Sequence, residues 1–152
     1  LAVIDWTNEF GSNGFDTIYG ADAEYAKAIV NRAIDDWESV ITSFNYVTPF
    51  RGDTFSIDIS ATTAFPDHVR GSASVLSHES GSLKPLSGAV ELDDNGGGGG
   101  WFFDNTPLDD AEFAGIADTF QSSFIDATTV GQQSQNDFYR TVLHEIGHAL
   151  GI

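Results

Sequence analysis

Residues 139–152 read YRTVLHEIGHALGI, and the fold assignment starts from them. Asn136 can cap a helix whose apolar side is Tyr139, Val142, Leu143, Ile146 and Leu150, with Asp137 near the positive end of the helix dipole. On the opposite side, four residues at about 100° each bring His148 to within roughly 40° of His144, one turn further on. Both imidazoles can therefore reach a single cation. Gly151 then permits the left-handed turn that ends a helix.

Zinc accepts imidazole nitrogen, and a catalytic zinc site typically has three protein ligands and one position open to water. His144 and His148 are read as two such ligands. Glu145 follows the first of them, so it can sit beside the water rather than on the metal, where a carboxylate acts as general base. His68 and His78 are read as ordinary loop residues, because no third histidine is available to them without robbing the 144/148 pair. Ser72, Ser74 and Ser77 lie near His78 without any group to orient its ring, so they make no serine-nucleophile arrangement.

Upstream, the segment LAVIDW reads as a strand running into the turn-rich NEFGSNGFD. Ala26, Ile29, Val30, Ala33, Ile34, Trp37, Val40 and Ile41 then recur at three- and four-residue steps. That spacing predicts a long helix over 22–42, with Asp22 as its N-cap and its stripe covering a sheet. Phe55, Ile57 and Ile59 alternate with Ser56, Asp58 and Ser60, the period of a strand with one buried face. Strand, helix and strand in that order suggest a βαβ unit. GSASVLS and SGAVELDD read as two further strands separated by a turn around Gly81 and Pro85.

The run DDNGGGGGWFFDNTPLDD interrupts this regularity, because five consecutive glycines hold neither strand nor helix without a large entropy cost. It is read as a flexible surface loop that Trp101, Phe102 and Phe103 anchor to the body. From Leu108 to Gly131 the pattern fits both short helix and irregular structure.

One domain spanning residues 1–152 is expected from the length. Twenty-three acidic residues against six basic ones give a net charge of −17, which repels a phosphate backbone, so nucleic acid is not expected as a partner. The absence of cysteine rules out disulfides, thiolate metal sites and a cysteine nucleophile. No apolar run reaches the roughly 18 residues of a membrane span, so no membrane partner is expected. Composition carries no signal for an oligomeric state.

HEIGHALG resembles the zinc-binding motif of the metzincin clan of endopeptidases, and within that clan the bacterial matrixin-like and serralysin-like catalytic domains. The resemblance implies an α/β fold: a twisted, mostly parallel mixed sheet with one antiparallel edge strand, a long covering helix and a C-terminal active-site helix. It implies zinc as cofactor, His144 and His148 as metal ligands, Glu145 as general base, and a secreted enzyme that cleaves extended peptide or protein substrates. GSASVLS would be the edge strand against which the substrate lies. The Asp93–Asp94 corner matches a place where relatives hold calcium. In the clan a third histidine ligand falls at the second position after Ile152, with a methionine-containing turn beyond it. The resemblance therefore makes residues 1–152 the N-terminal subdomain of a catalytic domain, impaired on its own. A second reading keeps the fold but not the activity: an extracellular module binding calcium or an adhesion partner through its acidic, glycine-rich loops. The residue at the third-ligand position separates the two.

Overall fold

The computed structural model describes residues 1–47, 52–109 and 135–152. Its elements in chain order are β1 (Val3–Trp6), α1 (Phe15–Ile18), a 3-10 turn (Gly20–Asp22), α2 (Ala23–Val40), β2 (Thr54–Thr62), β3 (Gly71–His78), β4 (Pro85–Asp93), β5 (Trp101–Phe102), β6 (Asn136–Asp137) and α3 (Phe138–Ala149). Positions 110 to 131, where the sequence pattern was ambiguous, lie outside the described residues.

Four strands form one sheet in the order β1-β2-β4-β3. β1 pairs with β2 in parallel, with Ile4 beside Phe55, and β2 pairs with β4 in parallel, with Ile59 beside Val90. β3 closes the sheet as an antiparallel edge, with Ala73 beside Val90. The βαβ unit and the antiparallel edge expected from the sequence are thus both present.

Alternation decides which face is buried. Phe55, Ile57 and Ile59 of β2 and Val90 and Leu92 of β4 are fully buried on one face. On that face Ile29, Val30 and Ala33 of α2 and Val142, Ile146 and Ala149 of α3 complete the same core. Two helices therefore lie on one side of the sheet. The apolar stripe of α2 runs out after Trp37, since Val40 is 67% exposed.

Asp22 occupies the N-cap position of α2 as expected but makes no side-chain capping bond, because the chain arrives through the 3-10 turn, whose backbone is already helical. α3 is capped by Asp137, whose Oδ1 accepts the Tyr139 N–H at 3.0 Å, and not by Asn136. Asn136 is engaged elsewhere: its Nδ2 donates to the Gly96 carbonyl at 2.7 Å. The other end of α3 follows expectation. Gly151 has φ 85°, and the Gly151 and Ile152 N–H groups donate to the His148 and Gly147 carbonyls, the paired bonds of a glycine-ended helix.

The glycine run is a hydrogen-bonded turn rather than the loose loop the composition suggested. The buried Asp93 carboxylate accepts the N–H groups of Asn95 and Gly97, at 3.2 and 2.6 Å. Gly97 in turn accepts the His68 N–H at 3.0 Å, and Gly100 donates to the Asn95 carbonyl at 2.7 Å. Gly96, Gly97, Gly98 and Gly100 all have positive φ, which glycine adopts at no steric cost. Glycine is needed here for backbone shape. The aromatic anchor is also in place, since Trp101 is buried against Phe138 and donates from Nε1 to the Asp93 carbonyl at 2.8 Å.

Candidate metal centre

α3 carries the three predicted site residues, and its docking determines where each points. On its buried side, Trp37 of α2 donates from Nε1 to the Leu143 carbonyl at 3.0 Å. Gly147 lets the same indole come close: a β-carbon there would lie 3.0 Å from Trp37 Cζ2. Gly88 of β4 makes equal room for Ala149, which would sit 2.9 Å from a β-carbon at position 88. With these contacts holding one face down, His144 and His148 face solvent and Glu145 lies part-buried at the flank.

The two imidazoles converge. Their Nε2 atoms are 2.9 Å apart and their ring centroids 4.4 Å apart, with the ring planes at 80°. That distance is within hydrogen-bond reach, with the donor set by the tautomer of each ring. Two zinc–nitrogen bonds of about 2.0–2.1 Å in tetrahedral geometry would separate the nitrogens by about 3.3 Å, so opening the pair by about 0.4 Å admits the ion. His148 Nδ1 lies 3.3 Å from the Ile152 carbonyl oxygen. An Nδ1–H donated there leaves Nε2 bare, the tautomer a metal requires. Two imidazole nitrogens on one helix face, without thiolates, fit zinc chemistry. Among the described residues, no group of three or more His, Asp or Glu side chains converges to hold a metal.

Glu145 lies between α3 and the edge strand. Partial burial raises its carboxyl above the usual carboxylate range, and the neighbouring His144 and His148 pull it partly back. Its stem passes directly over Gly71, the first residue of β3: a β-carbon at 71 would stand 3.0 Å from Glu145 Cγ and 3.3 Å from Cδ. Sequence reasoning missed this neighbour. The only hint was a glycine opening an otherwise alternating strand.

His68 and His78 are exposed, in the loop before β3 and at its last residue respectively. The Asp93–Asp94 corner meets the glycine turn, with Asp93 Oδ2 occupied by two backbone N–H groups.

The matrixin peptidase model matches residues 15–152, from α1 through the helix that carries both histidines. The chain belongs to the matrixin family. Matrixins are zinc metallopeptidases, and the fold described above, a mostly parallel mixed sheet with one antiparallel pair and covering helices, is the matrixin α/β fold. No match was found among curated proteins or among solved structures. No helix among the described residues of this matrixin is long and apolar enough to cross a membrane.

Proposed function

We propose that this matrixin is a secreted zinc endopeptidase that hydrolyses peptide bonds in extended segments of protein, with His144 and His148 holding the metal and Glu145 acting as general base. The observation that carries the reading is the convergence of two exposed imidazoles beside a half-buried carboxylate, on a helix packed across the sheet's antiparallel edge.

His144 and His148 would hold the zinc, which when bound would supply Lewis acidity to lower the pKa of water and polarise a carbonyl. The remaining work falls to the chain. Glu145 takes a proton from the attacking water at a carboxylate oxygen and returns it to the departing amine. Its partial burial favours the protonated form between those two transfers. With Nδ1–H directed at the Ile152 carbonyl 3.3 Å away, His148 would keep its Nε2 free. β3, which has no strand on its outer side among the described residues, offers backbone N–H and C=O groups to an extended peptide, and Ser72, Ser74 and Leu76 form the exposed face of that strand.

The test is peptide hydrolysis by the natural polypeptide that carries residues 1–152, loaded with zinc and assayed on a quenched fluorescent peptide library. Glu145→Gln is expected to lower kcat by about 100-fold or more while zinc stays bound. His148→Ala is expected to lose the metal as well. A Glu145→Gln protein as active as the wild type would overturn the assignment.

A further inference from the structure

We propose that Gly71 is a positioning residue for Glu145, its missing side chain providing the space in which the carboxylate is held toward the metal face; the inference rests on the reading of Glu145 as the base.

The backbone does not explain a glycine here. Gly71 is not among the residues with positive φ, and it sits in register beside Leu92 in a regular antiparallel ladder. Even at the first position of a strand a glycine gives up chain entropy and a packing side chain. Gly71, Ala73 and Val75 share the face that looks toward α3, so the residue types along it go from none to small to branched as the strand leaves Glu145. What position 71 faces accounts for the choice. A β-carbon there would meet Glu145 Cγ at 3.0 Å and Cδ at 3.3 Å on one side, and the Glu91 carbonyl at 3.3 Å on the other.

Of those neighbours, only one can give way. The Glu91 carbonyl belongs to β4, which is paired on both sides. The start of β3 is pinned too, because the Arg70 carbonyl accepts the Asp93 N–H at 3.0 Å and the preceding loop is tied through His68 to Gly97. The stem of Glu145 rotates about single bonds, and so it is what moves. Carbon contacts prefer about 3.5–4.0 Å, so a methyl group at 71 displaces the carboxyl by roughly half an ångström. A misplacement of about 1 Å can cost 100-fold in rate, so half of that predicts a loss of about tenfold.

The experiment compares wild type, Gly71→Ala and Gly71→Val in the same zinc-loaded polypeptide, each also in a Glu145→Gln background. Gly71→Ala is expected to lower kcat about tenfold and Gly71→Val further, with KM and zinc affinity unchanged within about twofold. Neither substitution should add to the loss already caused by Glu145→Gln. Crystal structures of the variants should show the Glu145 carboxyl displaced while His144 and His148 stay in place. An unmoved carboxyl, lost zinc, or an equal further loss in the Glu145→Gln background overturns the proposal. A wild type that hydrolyses no peptide sinks the endopeptidase reading instead, and the crystal structures still decide whether Gly71 places Glu145.

Discussion

His144 and His148 are brought together by the pitch of a helix. Their rings are exposed, so on the proposed reading zinc affinity would depend on how cheaply the 2.9 Å pair opens to receive an ion. Zinc binding only the folded state should raise stability by about 2.7 kcal/mol at 100 times its dissociation constant. His144→Ala is expected to abolish that zinc-dependent rise in Tm, and a differential scanning fluorimetry series with and without the metal reads it directly. An undiminished rise in the variant would show the ion binding elsewhere. The convergence of the two rings was legible in the sequence, because a four-residue spacing on a helix translates into geometry without knowledge of the rest of the fold. Gly71 was not legible. Its contact with Glu145 joins β3 to α3, and no local pattern reports where an edge strand will pass relative to a later helix.

α3 depends on two small residues for its docking, and this gives its stability an unusual sign. Alanine is ordinarily the better helix former, by about 0.8–1.0 kcal/mol over glycine. At position 147 the added methyl would stand 3.0 Å from Trp37 Cζ2, against a ring whose Nε1 is tied to the Leu143 carbonyl. Overpacking of that kind costs about 1–3 kcal/mol, which exceeds the propensity gain. Gly147→Ala is therefore expected to lower the midpoint of urea unfolding, and a raised midpoint would show that α2 and α3 can move apart at no cost. The elements themselves followed from periodicity: three-and-four spacing for α2, strict alternation for β2. Their ends did not. Asp22 and Asn136 both have capping chemistry, yet one follows a 3-10 turn and the other is committed to Gly96. A cap is chosen by what else competes for the side chain, and that competition is tertiary.

For the molecule as a whole, 23 acidic residues face six basic ones, and the ion pairs seen among the described residues include those of Lys27 with Asp16 and Glu24 and of Arg32 with Asp36. Most carboxylates therefore repel their neighbours across water. Screening shortens to about 3 Å at 1 M salt from about 30 Å at 0.01 M, so salt should relieve this repulsion. We expect Tm to rise by several degrees between low and molar sodium chloride, with about 2–4 °C for each kcal/mol recovered in a chain of this size. A flat or falling Tm across that series would mean that the short-range pairs at Lys27 and Arg32 outweigh the general repulsion.

The glycine turn has a consequence for survival. If this matrixin is the endopeptidase proposed above, its own chain is among the proteins it meets, and five glycines in a row would ordinarily be an easy stretch to draw out and cut. Here the Asp93 carboxylate and the Asn95 carbonyl hold the run in a coiled turn with four residues at positive φ. A backbone of that shape does not lie flat along an edge strand, so on the proposed reading its own hydrogen bonds would withhold from autolysis the segment that composition marks as most vulnerable.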